Sequence, residues 1–214
     1  MEGVAVHFHE YSKDRVEPFC EYFGTCGGCK WQHLPYPLQL KFKQQQVVDN
    51  MERIAKVELP EIQSIIGSKN DILYRNKLEF TFSDTRWLTK VEIENSDALN
   101  RNGLGFHIPG RFDKVLDIEK CYLQEEPSNK IRNWLRSYAI KNGLPFYNLK
   151  THEGYLRIAV IRTATSGQSM VILQVAKDKP EWLTPLLDAL IAEFPEVTSL
   201  NYVINNKRNE TFHD

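Results

Sequence analysis

Cysteine placement constrains this chain more than any other feature. Cys20, Cys26 and Cys29 stand as Cys-x5-Cys-x2-Cys in CEYFGTCGGC, and Cys121, the one remaining cysteine, follows 92 positions after Cys29. Four thiols that exhaust the cysteine inventory suit one four-coordinate site, either a structural zinc or an iron-sulfur cluster. Gly24, Gly27 and Gly28 free the backbone to bend around such a centre. Two disulfides, or four unrelated buried thiols, are the plainer alternatives. The opening MEGVAVHFHE has no apolar core of a secretory signal, however, so an oxidising compartment is not implied. Zinc ribbons usually show two close Cys-x2-Cys pairs; three local ligands with one remote favour iron-sulfur.

With 214 residues, 42% of them hydrophobic, the chain can bury one large core or two small ones. No apolar run approaches the roughly 20 residues of a membrane span, so a soluble protein with no membrane partner is expected; a cytoplasmic location and a monomeric state are separate expectations. Twenty-seven basic residues against 28 acidic ones leave a net charge of −1, which by itself gives no footprint of a nucleic-acid binder. Basic residues do gather behind the cysteines (Lys30, Lys41, Lys43, Arg53, Lys56, against Asp49 and Glu52), a pattern that a solvated helix face explains.

The expected fold class is α+β: a mainly antiparallel sheet, three main helices and a four-cysteine loop at the N-terminal end. A short alternating stretch at 4–8 turns polar, as if finishing something begun earlier. Helical spacing covers 37–56 through Leu40, Val47, Val48, Met51, Ile54 and Ala55. Extended segments follow at 62–66, 73–82, 104–108 and 114–118, the last ending beside Cys121. Ile131, Trp134, Leu135, Tyr138 and Ala139 mark a second helix with Gly143 as its stop. Segments 156–163 and 170–176 flank a turn at Gly167, Pro180 opens a third helix, and 197–204 closes with a strand.

Within YRNKLEFTFS, a period of two sends Leu78, Phe80 and Phe82 inward and puts Lys77, Glu79 and Thr81 on the other face, with Arg75 just before. Arg75 and Lys77 could hold phosphate oxygens, with Glu79 orienting them or accepting from a base amino group. An ordinary solvated strand face accounts for the same pattern. No glycine-rich dinucleotide or phosphate loop and no His-Glu-x-x-His occurs, and Gly103-Leu-Gly-Phe106 reads as a bulge. His7, His9, His33, His107, His152 and His213 form no grouping with cysteine or aspartate; His33, four residues after Cys29, is placed to bond a sulfur or a phosphate.

Three stretches, CEYFGTCGGCKWQHLPYPLQLKFKQ, YRNKLEFTFS and GLGFHIPGRFDKVLDIEKC, together resemble the iron-sulfur-containing RNA (uracil-C5) methyltransferases, in particular the bacterial 23S rRNA (uracil-5-)-methyltransferase group and its tRNA relatives. LRIAVIRTATSGQSMVILQV is similar to the hairpin that follows the family's fourth cysteine. The resemblance extends over nearly the whole chain, from about Val6. It implies that 1–19 end a small RNA-binding β-barrel and that 20–214 form the central iron-sulfur and RNA-binding domain. A C-terminal S-adenosylmethionine-binding domain, holding the catalytic cysteine and glutamate, would lie beyond Asp214, so no residue here is assigned a catalytic role.

For the intact protein the resemblance implies a thiolate that adds to uracil C6, methyl transfer to C5, and removal of the C5 proton by a carboxylate. It implies a [4Fe-4S] cluster on Cys20, Cys26, Cys29 and Cys121, RNA contact by Arg75, Lys77, Glu79 and His33, and 23S rRNA as partner. Residues 1–214 alone are expected to be inactive. Two further classes stand beside this one: a free-standing RNA-binding module stapled by metal, and a zinc-stabilised domain that binds protein.

Overall fold

The computed structural model describes residues 6–95 and 100–212. The chain divides into two compact units, Met1–Phe23 with Cys29–Asp71, and Gly24–Gly28 with Ile72–Asp214.

In the first unit, helix α1 (Tyr36–Asp49) opens on Pro35, whose carbonyl accepts from the Leu38 and Gln39 amides. It runs into a π-helical turn, Asn50–Ala55, which Lys56 ends in the left-handed conformation at φ 55°. The expected helix over 37–56 is therefore present. Neither segment buries a residue within its own packing, so side-chain amides do much of the anchoring. Gln39 donates to the carbonyls of Trp31 and Leu34 at 3.2 and 2.8 Å. Gln44 bonds both ways to the backbone, from Ile65 N–H at 2.9 Å and to Gln63 O at 3.3 Å. That amide takes the place a neighbouring strand would have, and the strand expected over 62–66 does not form. The alternating stretch at 4–8 falls partly outside the described residues; 6–8 form no strand.

The second unit is a six-stranded sheet ordered β3-β2-β1-β4-β5-β6, with β1 Lys77–Ser83, β2 Gly103–Ile108, β3 Arg111–Asp117, β4 Leu156–Thr163, β5 Ser169–Val175 and β6 Val197–Ile204. The sheet is mixed, which corrects the expectation of a mainly antiparallel one. Helix α4 (Pro180–Glu193) carries the chain back across the sheet after β5, so β6 enters parallel to β5. A hairpin would have kept the alternation; a helical crossover reverses it.

The strand expected from 73 starts only at Lys77. Leu73 has φ 55°, and the Leu73 and Arg75 amides donate instead to Tyr122 O and Leu123 O in the loop after β3. At Gly105 a Cβ would sit 2.0 Å from the Leu116 carbonyl, so the glycine permits the close approach of β2 to β3. The irregularity in this ribbon falls between His107 and Ile108 rather than at the Gly103–Phe106 stretch.

One face of the sheet is covered by α3 (Ser128–Lys141) and α4. Leu78, Phe80 and Phe82 are buried there, with the Arg132 guanidinium of α3 5.0 Å over the Phe80 ring. Trp134 of α3 meets Phe194, just past α4, edge-on at 5.8 Å. Ile131, Leu135 and Ala139 of α3 and Leu183, Leu186 and Leu190 of α4 complete the core, as their periodicity predicts. Gly143, φ 65°, ends α3.

A fourth, short helix, α2 (Lys90–Asn95), stands beside the three main ones and was not expected. It opens on a reciprocal capping box: Thr89 Oγ1 accepts from Glu92 N–H at 3.2 Å, and Glu92 Oε2 accepts from Thr89 N–H at 2.9 Å. The other Glu92 oxygen takes Arg86 Nη2 at 2.8 Å. Among the described residues no helix is long and apolar enough to cross a membrane.

The Arg86 hydrogen bond, reinforced by Thr89, holds the Glu92 carboxyl down at about 2 against an ordinary 4.5. A depressed carboxylate stabilises the fold above its unfolded value, and that contribution disappears as pH falls toward the folded value. Glu92→Gln is therefore expected to remove part of the loss of stability between about pH 4.5 and 2 in urea titrations across pH. An unchanged acid limb would show that the pair contributes nothing to folding.

Candidate nucleic-acid interface

The sheet face opposite the helices carries three transverse rows set by strand register: Thr81–Ile158–Gln174, Glu79–Val160–Ile172 and Lys77–Arg162–Met170. The first row is covered by the chain beyond β6. Gln174 Nε2 donates to Thr211 O at 3.0 Å, and Thr81 Oγ1 lies 3.1 Å from His107 Nε2, which in turn sits 3.9 Å from Glu210. Arg157, stacked 4.3 Å over Tyr147, fastens the same segment through the Asn205 and Lys207 carbonyls, each at 2.7 Å. Thr81 is thus buried, where the sequence pattern alone would expose it.

The third row stays open, and Lys77 and Arg162 are both exposed. They are direct cross-strand partners, so two positive side chains stand side by side on one face. Such a pairing is unfavourable by itself. Glu79 lies 3.3 Å from Lys77 Nζ and compensates one charge, each side chain being about half exposed. No carboxylate among the described residues lies within ion-pair distance of Arg162. Arg75, two residues before β1, is exposed as well. Lys77, Glu79 and Arg162 therefore stand together toward one end of the two central strands, with Arg75 two residues before β1, an excess of positive charge suited to phosphate oxygens. Three of them are legible in the sequence. Arg162 is not, because its place depends on the β1–β4 register.

His33 belongs to the first unit. Its carbonyl accepts from Val16 N–H at 3.0 Å and its ring lies 5.4 Å from Phe23, beside a cavity also bordered by Tyr11 and Arg15. These contacts hold His33 in place within that unit. His213 lies outside the described residues.

None of the four cysteines is disulfide-bonded. Cys20 and Cys29 belong to the first unit, Cys26 and Cys121 to the second. Burial pushes the Cys20 thiol above its ordinary value, and Cys29 adds to the shift. Gly28 N–H points at Cys26 Sγ at 3.3 Å, and a Cβ on Gly27 would lie 2.4 Å from His107 O, so this glycine serves close packing on β2.

Cys121 is buried and its peptide is clamped by Asn129, which accepts from Cys121 N–H at 2.7 Å and donates to Cys121 O at 3.2 Å. Arg132, fully buried, donates to the same Asn129 oxygen at 2.9 Å. Burial pulls its guanidinium down to about 10, while a negative charge at Cys121 favours keeping it protonated. Among the described residues no group of three or more His, Cys, Asp and Glu is gathered so as to hold a metal ion, and neither unit by itself contains three of the cysteines. Within the second unit, a peptide N–H is directed at Cys26 Sγ and the buried cation Arg132 lies near Cys121.

No protein-family model matches the chain. Over its full length it is 52% identical to an uncharacterized RNA methyltransferase of Bacteroides thetaiotaomicron and 46% identical to one of Porphyromonas gingivalis, matches that cover 48% and 47% of those proteins. A third such protein, from Chlorobaculum tepidum, is 41% identical over 97% of the chain and 44% of its own length. The chain thus spans about half the length of the curated relatives it matches. Its fold is similar to that of the Pyrococcus abyssi tRNA (uracil-54, C5)-methyltransferase, solved in complex with S-adenosyl-L-homocysteine, with a TM-score of 0.62 and 23% identity over 94% of this chain and 40% of that one. The chain is related in sequence to bacterial proteins named as RNA methyltransferases and shares a fold with part of one solved RNA methyltransferase.

If the open row serves an anion, relieving its repulsion weakens binding without weakening the fold. Arg162→Gln is expected to leave stability unchanged or raise it by up to about 0.5 kcal/mol in urea unfolding. If that anion is RNA phosphate, the same variant is expected to lower affinity for single-stranded RNA and reduce the salt slope by about one. A loss of stability above about 1 kcal/mol would instead make Arg162 a packing residue.

Proposed function

We propose that this chain is the RNA-holding part of an S-adenosylmethionine-dependent RNA (uracil-C5) methyltransferase whose target is 23S rRNA. The observation that carries the reading is 52% identity, over the whole chain, to a protein named as an RNA methyltransferase. Uracil C5 as the methylated position rests on the order of the cysteine, Tyr-Arg-x-Lys and hairpin motifs; the named activity of the fold neighbour supports it. Residues 1–19 end an RNA-binding barrel and 20–214 form a central domain. The catalytic thiol, the carboxylate base and the methyl-donor site belong to a further domain.

In this division of labour the chain's own residues bind and orient RNA. Arg75, Lys77 and Arg162 take phosphate oxygens, and Glu79 both tempers Lys77 and offers an acceptor to a base amino group. His33 supplies a further contact from the first unit. Cys20, Cys26, Cys29 and Cys121 would hold a [4Fe-4S] cluster, which when bound supplies a rigid covalent staple between distant parts of the chain and a fixed local charge. Asn129 and Arg132 set the position and electrostatics of the Cys121 end.

The decisive assay uses the protein that carries this chain with labelled S-adenosylmethionine and either 23S rRNA or tRNA, followed by nucleoside mass spectrometry. 5-Methyluridine in 23S rRNA is expected, and no transfer by residues 1–214 alone. Label in another nucleoside, or turnover by the 214-residue chain, would contradict the reading; label in tRNA only would move the target. Protein purified without oxygen is expected to hold about four iron and four sulfide, lowered by Cys121→Ser. One zinc and no sulfide would replace the cluster with a structural metal.

A further inference from the structure

The segment after β1 does more than cap the sheet. Trp87 N–H donates to Val115 O at 2.7 Å, Thr85 Oγ1 donates to Asp113 O at 3.2 Å, and Lys114 Nζ donates to Thr85 O at 3.3 Å. These bonds fix residues 85–87 along the outer edge of β3, so Trp87 is held on a rigid support. Beside it opens a cavity of about 440 Å³, bordered by Trp87, Ile93, Arg86, Lys90, Arg101 and Lys114. That volume falls in the range of roughly 300–1,000 Å³ that accommodates small organic ligands.

Four cations border this cavity, and three of the acids near it are already engaged. Glu92 is bonded to Arg86, Asp113 lies 2.9 Å from Lys150 and 3.3 Å from Arg111, and Asp117 is paired with Arg136. Among the described residues no carboxylate lies within ion-pair distance of Lys90, Arg101 or Lys114. Lys90 and Arg101 are exposed, as is Ile93. A half-buried indole with three uncompensated cations around it offers an aromatic face and an anion site together, the pairing that single-stranded nucleic acid uses. An acidic peptide would satisfy the cations and leave the indole without a flat partner.

We infer that this pocket is a second RNA-binding site, taking one nucleotide of a single-stranded segment with its base on Trp87 and its phosphates on Lys90, Arg101 and Lys114. The inference rests on the RNA reading above and extends it to a place separate from the Lys77–Arg162 row. It assigns the pocket a positioning role: the site grips a nucleotide that is not itself methylated.

The test measures fluorescence anisotropy of a fluorescein-labelled single-stranded oligouridine with the 214-residue chain across a salt series. Lys90→Glu/Arg101→Glu is expected to lower affinity about tenfold or more and to flatten the salt dependence, both positions being exposed and outside the core. Trp87→Leu is expected to lose about fivefold or more, with Trp87→Phe recovering most of it, a rescue that a purely structural tryptophan would not show in binding. Circular dichroism melting checks that each variant is folded. If wild type binds no RNA, the proposed function fails with the inference. If wild type binds, Lys77→Ala/Arg162→Ala weakens it and the pocket variants do not, the inference alone is overturned. Competition by polyglutamate at wild-type strength, with Trp87→Leu unchanged, would overturn it too by making the pocket a site for acidic protein.

Discussion

The pairing of β1 with β4 decides the chemistry of the larger unit. By setting Leu78 opposite Ile161 and Phe80 opposite Ala159, it assembles the apolar surface on which α3 lies. The same register places Lys77 against Arg162, on the opposite face. A slip of one residue would exchange the two faces, exposing phenylalanines and burying cations. The apolar packing of Phe80 and Phe82 therefore holds in place a like-charge pair that has no favourable reason of its own to form. An anion bound there would relieve the repulsion.

What the sequence makes legible follows the range of the interactions involved. Helices α3 and α4 are strongly periodic, and β4, β5 and β6 are runs of apolar and β-branched residues bounded by turn signals, so residue pattern alone locates them. The parallel entry of β6 is not a property of its own residues; it depends on α4 lying across the sheet. Segment 62–66 has strand-like composition but meets only the Gln44 amide, and a single side chain cannot continue a ladder. Helix α2 was within reach of sequence reading, since Thr89-Lys-Val-Glu92 is the capping-box pattern, but Val91 and Ile93 alternate with charged residues, a period of two that points away from a helix.

The candidate site divides along the same line. Lys77 and Glu79 are visible because they lie on one alternating strand, and Arg75 because it precedes them. Arg162 becomes a neighbour only through cross-strand register, and Trp87 meets Lys114 only because 85–87 run along β3. Asn129 and Arg132 read as ordinary helix residues, yet Asn129 grips the Cys121 peptide and Arg132, bonded to Asn129, sets a buried cation near it. Residues on one strand are found by period; residues on several require the fold.

The central claim is that RNA lies on the open sheet face, away from the helices. Photo-crosslinking of 4-thiouridine RNA to the chain, with the attached peptides identified by mass spectrometry, tests it most directly. Attachment within 75–79 and around Arg162, abolished by excess unlabelled single-stranded RNA, is the predicted result. Attachment confined to α3 and α4, or none that unlabelled RNA displaces, would contradict the account.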